Sequence, residues 1–179
     1  MPISPTKWLA IKDAMRLFTN QFERTIDGKN RIQLPSQLRS AIDSERDGEL
    51  LYVTLGEHRG TLSLFTERAF NELAARTETE FKPGDESLRF ELQFYGLTAA
   101  VELDKQGRFV LPDKLVKKAG LGPDVVLVGQ GNRIDVWNPA DLERSVGIDW
   151  EGDDWPNQQS FRRNRPQNGV SKGEERREK

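Results

Sequence analysis

Two short stretches of this chain place an acid and an arginine at the same spacing beside a tight turn. The first reads Asp27-Gly28-Lys29-Asn30-Arg31-Ile32-Gln33-Leu34-Pro35, the second Asp104-Lys105-Gln106-Gly107-Arg108-Phe109-Val110-Leu111-Pro112. Arginine carries a planar, permanently charged fork that matches phosphate oxygens or the edge of a guanine. Lys29 and Lys105, in the same turns, add point charges that neutralise phosphate. Asp27 and Asp104 have the right chemistry to accept main-chain N–H groups and brace the turn, or to pair with the arginine. The chemistry on offer is binding of a polyanion. A purely structural use competes with it: an Asp–Arg pair stapling a turn, with no ligand at all.

The turns need a residue that tolerates positive φ. Gly107 fills that place in the second copy and Asn30 in the first, asparagine being the next cheapest choice after glycine. A single Asp-x-x-x-Arg would mean nothing. Two copies in the same frame of strand, turn, strand, proline and helix are a repeat, with Leu38 answering Leu115 three residues beyond the prolines.

The elements that must hold these turns follow from the flanking pattern. Phe22–Ile26 and Ala100–Leu103 are expected to lead in as strands, and Arg31–Leu34 and Arg108–Leu111 to lead out. Pro35 and Pro112 suit the first turn of a short helix, and Gly120 its C-terminal stop. A hairpin follows in each copy, Leu50–Leu55 with Thr61–Phe65 and Asp124–Val128 with Arg133–Trp137. Thr66 and Asn138 are placed to cap the helices that come next. The fold class is therefore α+β, built from two tandem β-β-α-β-β units. Apolar stripes at Ala69, Phe70, Leu73 and Ala74, and at Phe90, Phe94 and Leu97, make the connection helical, with a break at Lys82-Pro83-Gly84-Asp85.

The expected organisation is an N-terminal extension at 1–17, a first unit at 18–66, a helical linker at 67–97, a second unit at 98–148 and a polar tail at 149–179. In the tail, proline, asparagine, glutamine and charge replace aliphatic residues, the composition of disorder. Its Arg162, Arg163, Arg165 and Lys172 form either a solvated run or an arm that clings to DNA without sequence preference.

Composition narrows the classes further. Of 179 residues, 35% are hydrophobic and 31% charged, there is no cysteine, and His58 is the single histidine. Thiolate chemistry, disulfides and His-rich metal sites are thereby excluded, so neither a metal nor a cofactor is expected. No glycine loop opens onto a helix to cradle phosphate, and no acid–base or nucleophile set is evident, which disfavours an enzyme. No segment approaches the roughly 20 apolar residues of a membrane span, and the first residues lack the apolar run of a secretory signal, so a cytoplasmic location is expected. The net charge of −2 decides nothing about nucleic acid, because a small basic face can sit on an acidic chain.

Residues 18–39, FTNQFERTIDGKNRIQLPSQLR, resemble the opening of MraZ proteins, and residues 101–137, VELDKQGRFVLPDKLVKKAGLGPDVVLVGQGNRIDVW, resemble the second half of that family. The resemblance runs from about Phe18 to Arg144. It implies tandem AbrB-type swapped-hairpin domains packed as an intrachain pseudo-dimer, and a ring-shaped homo-oligomer. It also implies binding of double-stranded DNA at short repeated boxes upstream of the division and cell-wall genes, with a nucleoid-associated repressor as the expected outcome. The DNA-contacting loops of the family map onto Asp27 and Arg31, and onto Asp104 and Arg108. The first loop departs from the family's lysine-glycine-arginine order with Lys29-Asn30-Arg31, so Arg31 is expected to matter less than Arg108. The alternative class is an antitoxin-like interaction module whose tail binds a partner protein.

Overall fold

A computed structural model describes residues 17–80 and 85–146. The expectations for residues 1–16, for the break at 82–84 and for the tail from 149 lie outside these residues.

The lead-in strand β1 (Gln21–Thr25) runs through the first turn into β2 (Arg31–Gln33), then a single helical turn, α1 (Ser36–Arg39). A second turn of helix, α2 (Ser44–Asp47), follows before the hairpin β3 (Leu50–Leu55) and β4 (Thr61–Thr66). The helices α3 (Glu67–Glu80) and α4 (Asp85–Gly96) connect to the second copy. That copy comprises β5 (Ala99–Glu102), β6 (Arg108–Val110), α5 (Asp113–Ala119), the hairpin β7 (Asp124–Gly129) and β8 (Ile134–Trp137), and α6 (Pro139–Val146).

The two copies do not fold side by side. Six strands form one antiparallel sheet in the order β1-β7-β8-β4-β3-β5, and β2 pairs with β6 in a separate ladder. The hairpins meet at its centre, where Ser63 faces Asp135. Each lead-in strand crosses to the other copy's hairpin, with Phe22 facing Leu127 and Leu51 facing Val101. Strands joined by a turn therefore separate: β1 and β2 bond to each other only through the turn itself, and each continues into a different sheet. Local pattern alone, which suggested two strands closing on one turn, could not reveal this exchange.

The core lies between the sheet and the small ladder. Alternation along the strands points Leu51, Val53, Leu62, Leu64, Val125, Leu127, Ile134 and Val136 to one face, where they meet Ile32, Phe109, Leu34 and Leu111. Burying side chains of this size contributes about 1.5–3 kcal/mol each. Leu38 of α1 and Leu115 of α5 close the ends of the cluster. Gly120 ends α5 in the left-handed conformation (φ 63°), as its position after the helix predicts.

The outer face of the sheet is covered by helices. Phe70 of α3 stacks between Tyr52 of β3, 4.5 Å away, and Phe94 of α4, 5.3 Å away. This is the apolar stripe of the linker at work. Leu142 of α6 packs on Val126 and Trp137. Covered on both sides, β4 is buried along its whole length, and its outward Ser63 donates a 2.6 Å hydrogen bond to buried Asp135, which Arg133 Nε approaches at 3.2 Å.

Two capping expectations part ways. Thr66 Oγ1 accepts the Ala69 N–H and caps α3 as expected. Asn138 instead uses its side-chain oxygen to accept the Gly122 N–H and its amide to donate to the Gly120 carbonyl, tying the end of α5 to the start of α6. Pro35 and Pro112 sit at the residue preceding each helix, where the Pro35 carbonyl accepts the Arg39 N–H and that of Pro112 the Val116 N–H.

Candidate nucleic-acid interface

The two loops are the same object built twice. In the first, Asp27 Oδ1 accepts the N–H groups of Lys29 (2.8 Å) and Arg31 (2.9 Å), while Oδ2 accepts Arg31 Nε at 2.7 Å. In the second, Asp104 Oδ1 accepts the N–H groups of Gln106 (2.8 Å) and Arg108 (2.9 Å), while Oδ2 accepts Arg108 Nε at 2.9 Å. The main chain closes identically, with the Asn30 N–H donating to the Asp27 carbonyl and the Gly107 N–H to that of Asp104. Asn30 (φ 57°) and Gly107 (φ 76°) occupy the same left-handed position. The equivalence also sets the two lysines apart. Lys29 corresponds to Gln106 and Lys105 to Gly28, so the two exposed ammonium groups stand at different points of their loops.

Each aspartate is fully committed to its loop. The Arg31 main-chain N–H, followed by its side chain, lowers the Asp27 carboxyl to a pKa of about 2. The Arg108 main-chain N–H is the leading cause that holds Asp104 below the ordinary carboxylate range. The aspartates take the Nε edge of the arginines, and no described residue takes their terminal amino groups. Both arginine side chains remain around two-fifths exposed, Arg31 at 42% and Arg108 at 38%. Each fork is thus held by its aspartate along one edge, and its other edge has no partner among the described residues.

The β2–β6 ladder sets the relation between the loops. Arg31 faces Val110, Ile32 faces Phe109 and Gln33 faces Arg108. Ile32 and Phe109 point inward, 1% and 2% exposed, so Arg31, Gln33, Arg108 and Val110 share the outward face. The two arginines are diagonal neighbours on that face, roughly 7–8 Å apart at the backbone. The ladder is also tied end to end: the Asn30 carbonyl accepts the Leu111 N–H, and the Gly107 carbonyl accepts the Leu34 N–H.

Three further residues around the loops escape a reading of the repeat alone. Gln33 Nε2 donates to the Gln106 carbonyl at 2.6 Å, and Arg39 Nη1 donates to the same oxygen at 3.1 Å. Asn30 Nδ2 reaches Asp113 Oδ1 at 3.4 Å. Asp113 is itself paired with Lys117, whose ammonium is the leading cause of its lowered pKa. These bonds join residues 67 to 83 positions apart, and no local pattern signals them.

Among the described residues no cluster of histidine or carboxylate side chains could hold a metal ion, and no helix is long and apolar enough to cross a membrane. A half-open cleft of about 440 Å³ lies on the outer side of the sheet, lined by Ser63, Phe65, Leu73, Phe94 and Arg133 among others, and includes none of the loop residues.

Known proteins resemble this chain over most of its length. The family model "MraZ protein, putative antitoxin-like" matches residues 94–146. The transcriptional regulator MraZ of Coxiella burnetii (strain RSA 493 / Nine Mile phase I) is 34% identical over 137 residues, covering 73% of this chain and 89% of its own. That of Mycoplasmopsis pulmonis (strain UAB CTIP) is 36% identical over 126 residues, covering 70% of this chain and 81% of its own. That of Cytophaga hutchinsonii is 28% identical over 125 residues. The span matched by the family model contains the whole second loop.

Proposed function

The chain belongs to the MraZ family, and from that membership and the geometry of the loops we propose that it is a DNA-binding transcriptional regulator, not an enzyme. The observation that carries the reading is the congruence of the two loops, bond for bond, on one rigid ladder. A two-stranded ribbon of this width enters the major groove, where arginine forks read guanine edges and lysines neutralise phosphate. Asp27, Lys29 and Arg31, with Asp104, Lys105 and Arg108, are the proposed contact residues, and Asn30 and Gly107 form the turns.

The finer reading follows the family. The exchanged strands suit two AbrB-type swapped-hairpin units, at 18–66 and 98–148, packed as a pseudo-dimer within one chain. Open sheet edges at β1 and β5, and the exposed Leu88, Leu92 and Tyr95 of α4, suit a homo-oligomer, for which a ring is the proposed form. A ring presents many loops to repeated DNA boxes and gains avidity without new contacts. Repression of the division and cell-wall gene cluster is the proposed role, in the cytoplasm at the nucleoid.

The test is selection of duplexes from a random pool by the full chain, together with genome-wide mapping of bound DNA. Enrichment of a repeated short box, abolished by combined Arg31→Ala and Arg108→Ala substitution, is the expected result. Failure to enrich any duplex, or enrichment that survives the double substitution, overturns the reading.

A further inference from the structure

We infer that Arg39 is a third DNA-contacting cation, supplied by the first half of the chain to the loop of the second. This rests on the DNA-binding reading of the loops. Arg39 ends α1, directly after the first loop and its ladder strand, yet it lies across the second loop. Its Nη1 donates to the Gln106 carbonyl at 3.1 Å, and its Cδ lies 3.0 Å from the point where a side chain on Gly107 would begin. Gly107 is buried beneath it while Arg39 itself is exposed. The acceptor is shared with Gln33, whose side chain stands on the outward face beside Arg108, so Arg39 borders the same surface.

The charge of Arg39 is not spent among the described residues. Arg31 and Arg108 are each paired with their aspartate, whereas among the described residues no carboxylate pairs with Arg39. A guanidinium held at one amino group, exposed, and lying on a loop that presents Lys105 and Arg108 is positioned for a phosphate flanking the bases that Arg108 reads.

The pseudo-twofold relation of the copies makes this one-sided. The residue equivalent to Arg39 is Val116, which packs on the core. The cross-brace of the first loop is instead Asn30 to Asp113, an acid. The second loop therefore gathers Lys105, Arg108 and Arg39 around Asp104, while the first has Lys29, Arg31 and Lys117 around Asp27 and Asp113. A polyanion is drawn more strongly to the second loop, which gives the paired loops a direction along the duplex.

The experiment measures affinity against salt concentration for the full chain and for Arg39→Gln and Arg39→Lys, on a duplex recovered by the selection described above. Arg39→Gln keeps a donor for the Gln106 carbonyl but removes the charge. It is expected to flatten the slope of log affinity on log salt by about 0.9 for each chain seated on the duplex. Arg39→Lys keeps the charge and is expected to preserve the slope. A wild-type slope in Arg39→Gln means that Arg39 only clamps the loop, and the inference falls while the proposed function stands. A slope lost equally in Arg39→Lys also overturns it, because the charge was retained. A wild-type chain that enriches no duplex removes both readings together.

Discussion

The main-chain carbonyl of Asn30 accepts the N–H of Leu111 at 2.8 Å. The left-handed residue of the first loop is thereby fastened to the end of the strand that leaves the second. Gly107 and Leu34 make the reciprocal bond at 2.9 Å, so neither loop can shift along the ladder without breaking a bond to the other.

If this interlock aims both arginines, their removal should act on DNA binding and spare the fold. Arg31→Ala and Arg108→Ala each leave an aspartate that is at least partly exposed and still holds two main-chain N–H groups. Thermal unfolding should shift little, since substitutions at such exposed sites usually stay within about 0.5 kcal/mol. Affinity should fall in both, more steeply in Arg108→Ala, with a flatter salt dependence. Equal losses in both variants would contradict the asymmetry of the loops.

Gly107 and Asn30 should respond in opposite ways to exchange. Gly107→Val places a β-branched side chain at a φ of 76° and drives its Cβ into Arg39. The backbone strain alone costs about 1–3 kcal/mol. Binding should weaken sharply at nearly unchanged circular dichroism. Asn30→Gly relieves the positive φ but gives up the long bond to Asp113, so its net effect on stability should stay under about 1 kcal/mol. A normal affinity for Gly107→Val would remove the second loop from the contact surface.

The loops should persist well into acid. Asp27 has a folded-state pKa of about 2, below that of a free aspartate near 3.9, and Asp104 is shifted in the same direction. A carboxylate depressed on folding contributes stability that is fully present above the unfolded pKa. That contribution is lost as pH falls through the folded value. Carboxyl NMR titration should therefore show Asp27 ionised at pH 3.5, with its midpoint lower still. An unshifted midpoint would mean that the loop bonds do not persist in solution.

The ladder should be as much core as display. Phe109 is 2% exposed and packs within the main cluster opposite Ile32. Phe109→Ala should cost about 3–5 kcal/mol in denaturant unfolding. Because Phe109 adjoins Arg108 in sequence, the same variant should bind DNA more weakly even under conditions where it stays folded. A loss below about 1 kcal/mol would indicate that the ladder is not rigidly seated on the sheet.

The sequence by itself determined the loops. Aspartate, left-handed residue and arginine lie within five positions, and their bonds are local, so spacing and turn chemistry are enough to predict them. The same holds for the hairpins, for the left-handed stop at Gly120 and for the apolar stripe of α3 with Phe70 at its centre. Only the tertiary structure decided where these parts meet. Alternation in β1 says which side chains share a face, but it does not say that Phe22 will face Leu127 rather than a neighbour in its own copy. Two similar units offer either partner the same local pattern, and the exchange is settled by which arrangement buries the shared β2–β6 ladder against one sheet. The position of Arg39 follows from that exchange. Its contact to Gln106 spans 67 residues, and it exists because crossing strands carry the end of α1 over the other copy's loop.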